Sequence, residues 1–197
     1  MKKVKSVIIV ILIIVAAFFY AHIGKNNLVY DKDVDNSQYI ATGPVNRVEQ
    51  TFVSKEETLD GFRSKCQVAG NVEGMKVQYS LVNVKSGKTE AEGIADAAEI
   101  KNSKFYFFGF DTVSNCKGNA YKIVLVNEKA TEKDGIGFFF QPKTEQGTSL
   151  KVEDNSTTGT MIVKAVTDRF DIETFIVLLV FVLYVVLFIK FLYKLFK

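Results

Sequence analysis

Two nearly unbroken apolar runs, one at each end of the chain, limit the folds open to it more than any other feature. The first, Val7 to Ala21, carries no charge. With Val4 and Ile23 it reaches the roughly 20 residues that a hydrocarbon core about 30 Å thick demands of a helix. The second, Ile172 to Leu192, is interrupted only by Glu173, Thr174 and Lys190, all near its ends, where side chains snorkel to the interface. Lys2, Lys3 and Lys5 precede the first run, and Lys190, Lys194 and Lys197, with Tyr193, close the second. Lysine flanks of this kind mark the cytoplasmic side of a membrane helix. The expectation is a two-pass protein of the cell (plasma) membrane, with both termini cytoplasmic and the centre extracytoplasmic. It divides the chain into a cytoplasmic start (1–5), a first transmembrane helix (6–24), a polar linker (25–44), an outer domain (45–168), a second transmembrane helix (172–192) and a basic tail (193–197).

A cleaved signal peptide begins in the same way as the first run. Small residues at cleavage spacing occur only at Val15-Ala16-Ala17, and cutting there would leave Phe18, Phe19 and Tyr20 as a greasy new terminus. Retention as an anchor is therefore the preferred reading, with cleavage left open. The formal charge of +3 comes from 25 Lys plus Arg against 22 Asp plus Glu. Six of those basic residues are the terminal lysines just named, so the middle is nearly neutral. Basic flanks around a neutral domain point to membrane topology and away from nucleic acid.

Lys25 to Gly43 is rich in Asn, Asp and Ser and is followed by Pro44, which reads as a connector. From Val45 onward short alternating segments are separated by Gly, Asn, Asp and Lys. The candidate strands are Arg47 to Val53, Gly61 to Ala69, Met75 to Val84, Lys88 to Ala95, Lys104 to Asp111, Ala120 to Asn127, Gly135 to Gln141, Ser149 to Glu153 and Gly159 to Val166. In the third, Val77, Tyr79 and Leu81 alternate with Lys76, Gln78 and Ser80, and the parity switches at Val82 and Val84, where a bulge or strand end is expected. Short strands with frequent turns and no helical crossovers predict an all-β domain, an antiparallel jelly-roll β-sandwich flanked by the two transmembrane α-helices. Phe105, Tyr106, Phe107, Phe108 and Phe110, with Phe138, Phe139 and Phe140, are expected to fill the space between the sheets.

Gln50-Thr-Phe52, Leu59-Asp-Gly61-Phe62, Val77-Gln-Tyr79-Ser-Leu81, Phe108-Gly-Phe110 and Gly118-Asn-Ala-Tyr121-Lys-Ile123-Val-Leu125 resemble successive strands of galactose-binding-like jelly-roll domains. The resemblance is to those held outside the cytoplasm in bacterial membrane proteins of surface-polysaccharide assembly, and it covers roughly Val45 to Val166. It implies a carbohydrate-binding-like fold and a partner among cell-envelope glycans.

Catalysis is narrowed by composition. The single histidine, His22, stands at the membrane edge of the first run, so no Ser-His-Asp or Cys-His arrangement can assemble within the sandwich. Its bland reading is an interfacial side chain. Asp31, Asp33 and Asp35 resemble the opening of a calcium loop, yet Thr42 stands where the bidentate Glu belongs and Asn36 where the turn Gly belongs. They remain weak metal candidates beside the plainer reading of a solvated linker. Nothing selects one pair among Glu56, Glu57, Asp60, Glu73, Asp96 and Glu99 as acid and base. The expectation is a protein that is not an enzyme and uses no cofactor.

Tyr39, Tyr79, Tyr106 and Tyr121 supply rings with polar tips and are the candidate ligand contacts, with core packing as the default for those within strands. Cys66 and Cys116 are left as a candidate disulfide, which in an oxidising compartment would contribute roughly 2–4 kcal/mol, or as buried thiols. The first functional expectation is a non-enzymatic accessory protein that binds a cell-envelope polysaccharide or glycolipid precursor. The alternative is a subunit whose helices and sandwich dock on a polytopic membrane transporter or glycosyltransferase. Ala17 and Ala21 give that alternative one small-xxx-small pair.

Overall fold

The computed structural model describes the backbone of residues 2–196, with side chains other than those of residues 2–7, Ile23 and Arg169. Lys2, Lys3, Val4, Lys5, Val7 and Lys197 thus lie outside the described side chains. The chain falls into two units, residues 26–167 and the two ends, 1–25 with 168–197.

The unit formed by the ends contains α1 (Lys2–Tyr20) and α2 (Ile172–Leu195). Asp171 starts α2 by accepting the Glu173 and Thr174 amides on its carboxylate (3.0 and 3.4 Å), which satisfies two of the N–H groups a helix start leaves unpaired. Its own N–H donates to Ala21 O at 2.8 Å. Ala17 and Ala21 are fully buried, while most of the described large apolar side chains of both helices are exposed. Phe18, His22, Phe170 and Phe175 form a ring cluster at the helix bases, with centroids 4.7–5.4 Å apart.

Of the described helices, α2 is long and apolar enough to cross a membrane. Two such helices were expected. The described apolar part of α1, Ile8–Tyr20, is a shorter stretch, and the backbone turns extended at His22.

The other unit is built from two antiparallel sheets, with residues 22–25 and 168–170 of the first and last strands counted in the helical unit. Its strands are β1 (His22–Leu28), β2 (Ile40–Ala41), β3 (Arg47–Val53), β4 (Thr58–Ala69), β5 (Lys76–Asn83), β6 (Thr89–Asp96), β7 (Lys104–Ser114), β8 (Ala120–Glu128), β9 (Gly135–Gln141), β10 (Ser149–Val152), β11 (Asn155–Thr157), β12 (Thr160–Met161) and β13 (Val163–Phe170). The first sheet runs β1-β13-β4-β9-β12, with β7 on the other edge of β4 and β2 beside β9; the second runs β11-β10-β3-β8-β5-β6. From β3 to β5 and again from β6 to β10, consecutive strands alternate between sheets, so most pairings are distant in sequence. The nine candidate strands all fall on observed ones. The segment read as a connector also carries β2, paired with β9, and the Val29 amide donates to Val163 O at 3.1 Å.

Alternation explains what is buried. Tyr121, Ile123, Leu125 and Asn127 of β8 point inward opposite Val48, Gln50 and Phe52 of β3. The parity change at Val82 is a register shift between Leu81 and Val82 in the β5–β6 ladder. The expectation that all the β7 and β9 aromatics fill the interior is corrected, because a strand sends only alternate residues to one face. Phe108, Ile136, Phe138 and Phe140 are buried, and Tyr106 and Phe110 pack against the core from partly buried positions. Phe105, Phe107 and Phe139 turn to the outer side. Around Phe108, the rings of Phe62, Tyr79 and Tyr106 stand 5.0, 5.2 and 4.9 Å away by centroid.

Three polar bridges cross the core. Gln50, fully buried, donates its amide to Thr51 O and Ser149 O (2.7 and 3.1 Å) and accepts from the Met161 N–H of the other sheet (2.8 Å). Asn127 donates to Val45 O and across to Ile136 O (2.7 Å). The Tyr79 hydroxyl donates to Gly109 O at 2.6 Å.

Replacing Gln50 with Leu should cost about 1–3 kcal/mol, the penalty for an orphaned buried N–H, and Phe62→Ala about 3–5 kcal/mol through cavity formation. Denaturant melts of the detergent-solubilised chain would check both, and a neutral Q50L would remove the bridge from the account.

Candidate functional site

The outer face of the first sheet carries the densest arrangement of chemically distinctive side chains. Strand β4 is central there, paired with β7 on one edge and β13 on the other, and it directs Arg63 and Lys65 outward. Arg63 is in register with Phe107 of β7 and with Lys164 of β13, and Lys65 with Phe105. Each cation rests on a ring: Lys164 Nζ lies 4.2 Å from the Phe105 centroid, Arg63 Cζ 5.0 Å from Phe107, and Lys65 Nζ 5.2 Å from both Tyr39 and Phe139. Such contacts attract a cation to the ring face.

Phe107 is 41% exposed and occupies the space above the Gly61–Gly109 pair. A Cβ on Gly61 would come within 2.5 Å of the ring, and one on Gly109 within 2.8 Å, so both positions must lack a side chain for the ring to settle there.

Among the described residues no carboxylate pairs with Arg63, Lys65 or Lys164. Lys164 and Arg63 are direct cross-strand neighbours, an arrangement that costs stability when both charges have the same sign. At the other end of the patch the surroundings are acidic: burial raises the Tyr39 phenol, and Asp35 and Asp31 push it further up.

The outer face of the second sheet is a shallow groove of about 690 Å³, with Val82, Val124, Val126 and Ile94 in its lining. Val124 is 6% exposed although it points away from the core. Here a carboxylate stands between the cations. Glu49 accepts from Arg47 (2.6 Å) and Lys122 (3.1 Å), and these cations hold its carboxyl below the ordinary range although burial pushes it up. A smaller cleft of about 280 Å³ opens between residues 27–30, the Phe52–Lys55 turn and Glu145–Thr148.

The candidate tyrosines do not form one site. Tyr121 is buried in the core, Tyr79 spans the sheets, and Tyr106 donates to Glu99 at 3.1 Å while packing on Phe108. Only Tyr39 reaches the outer patch. Asp31, Asp33 and Asp35 do not converge on an ion. Asp31 accepts from the Asp33 amide (2.9 Å) and pairs with Lys143 (2.5 Å), and Asp35 caps a 3-10 turn through the Ser37 amide (2.7 Å). Among the described residues no group of three or more His, Cys, Asp or Glu side chains is placed to hold a metal.

The candidate disulfide is not formed, and both thiols are buried and free. The Cys116 amide donates to Glu57 O, beside the start of β4, whereas Cys66 lies eight residues along that strand from Thr58. At about 3.3 Å per residue the two are roughly 25 Å apart, against the at most about 7 Å that a disulfide spans. Burial pushes the Cys66 thiol up to about 12, so it is no nucleophile at neutral pH.

No family model matches this sequence, and no curated protein is detectably similar to it.

The cation–ring patch escaped the reading of the sequence, although half its signal was there. Arg63 and Lys65 alternate with buried residues within one predicted strand, and Phe105 and Phe107 alternate with core rings in another. Their meeting depends on the β4–β7 and β4–β13 registers, which alternation alone does not set.

Two measurements follow from the buried groups. Neither thiol should react rapidly with a thiol reagent in the native protein, and both should react once it is unfolded without reductant; recovery of no thiol would mean the Cys66–Cys116 bond had formed. Burial, and then a hydrogen bond to Cys116 or Glu99, hold the Tyr121 and Tyr106 phenols up to about 12, against an ordinary value of 10.0. Above pH 10 the unfolded chain therefore binds fewer protons than the folded one, so stability should fall as pH rises from 10 to 12. Y106F should flatten that fall in pH-dependent unfolding.

Proposed function

We propose that this protein is a non-enzymatic, membrane-anchored accessory protein whose sandwich stands outside the cytoplasm and binds a cell-envelope polysaccharide or its lipid-linked precursor. The observation that carries this reading is the outer face of the first sheet, where rings and unneutralised cations are held on a rigid strand layer. Sites of recognition on sheets are built from such fixed side chains. In this reading both ends cross the bilayer, α1 together with the residues around it and α2 by itself. The lysine-rich flanks then lie inside, and the domain is pinned close to the outer leaflet.

The alternation of consecutive strands between two sheets supports a jelly-roll wrapping, and with it the galactose-binding-like resemblance. Recognition without reaction is favoured by the way the candidate groups are employed: Cys66 is protonated and buried, and Asp31 and Asp35 serve as turn caps.

Docking on a larger membrane enzyme is the other reading. The small-residue pair that supported it, Ala17 and Ala21, is already buried.

Two experiments test the proposal. Protease added to intact cells should cleave the 26–167 region and leave both tips protected. The full chain in neutral nanodiscs should retain glycans on an array of envelope-type polysaccharides. A protected centre would sink the topology, and silence on the array by a folded protein would sink the ligand class.

A further inference from the structure

Lys164 and Arg63 occupy directly opposed positions on β13 and β4, and no described carboxylate stands between them. Like charges in that relation repel by an amount that an intervening counter-charge would remove. Both cations are also held in place, Lys164 on Phe105 and Arg63 on Phe107, so their remaining donors are oriented before any ligand arrives. The glycines beneath Phe107 fix that ring and, through it, the guanidinium. Of the carboxylates on neighbouring segments, Asp60 accepts from Thr112, and Asp31 and Asp35 act on Tyr39.

We infer that the Arg63–Lys164 pair is a binding site for the acidic group of an anionic glycan, a carboxylate or phosphate carried on a sugar polymer. This rests on the glycan-binding reading and specifies its charge. The oxyanion would accept from the guanidinium and the ammonium together, while pyranose C–H groups lie along the partly exposed Phe107 and Phe105 rings. A peptide fits less well. Strands β4 and β13, which carry the two cations, are each paired on both edges, so an extended peptide could add main-chain bonds only along β7.

The full chain, in nanodiscs of zwitterionic lipid, would be titrated with polygalacturonate, dextran and poly-L-glutamate, and separately compared in nanodiscs containing phosphatidylglycerol. The expected result is retention of polygalacturonate that weakens with salt, little retention of dextran or poly-L-glutamate, and no effect of the anionic lipid. R63Q and K164Q should each weaken polygalacturonate binding about tenfold or more, the loss expected for one charge-assisted hydrogen bond, while K85Q on a distant turn should not. Melting temperatures of R63Q and K164Q should be unchanged or higher, because the repulsion is relieved.

Dextran bound as tightly as polygalacturonate would overturn this inference and leave the glycan reading standing, whereas no glycan bound at all would overturn both. Poly-L-glutamate bound equally well would assign the patch to an acidic protein, and response to phosphatidylglycerol alone would assign it to the bilayer. Lower melting temperatures in R63Q and K164Q, or unchanged binding, would make the cations structural.

Discussion

The two sheets are fixed to each other by buried amides, and much else follows from that. A core of Phe62, Phe108, Phe138, Ile123 and Leu125 supplies most of the driving force for bringing the layers together, but apolar contact is tolerant of small slips. Gln50 and Asn127 are not tolerant. Gln50 bonds Ser149 of its own sheet and Met161 of the other, and Asn127 bonds Val45, just before β3, and Ile136 of the other sheet, so a shift by one residue would leave several buried groups without partners. Tyr79 adds one further bond across, from its hydroxyl to Gly109 O. These three set the relation of β3, β8 and β5 to β12, β9 and β7, and the outward-facing residues inherit their positions from it.

The outer patch is a consequence of that order. Gly109 receives the Tyr79 hydroxyl on its carbonyl from the core side and lies under the Phe107 ring on the other. A residue with a side chain at that point would displace the ring that seats Arg63. The same strand pair therefore serves the interior and the exterior at once, and the outer cations stand on a framework fixed from within. The second sheet shows the contrast: there Glu49 stands between Arg47 and Lys122 and pairs with both.

How far this could be read from residues alone depended on periodicity. The nine candidate strands were legible because period-2 alternation survives in β3, β5 and β8 even where turns are irregular, whereas β1 and β2 lie in segments read as helix and connector. Partition of the aromatic runs was legible in principle but was missed, because five rings in Phe105–Phe110 look like core until parity is applied to them. The fate of Cys66 and Cys116 was not legible, since it depends on how far along β4 each one falls. Nor was the opposition of Lys164 to Arg63, which are about a hundred residues apart and meet through register. At the amino-terminal end, hydropathy described a continuous run, while the extended backbone from His22 onward reflects ladder hydrogen bonds that hydropathy does not weigh.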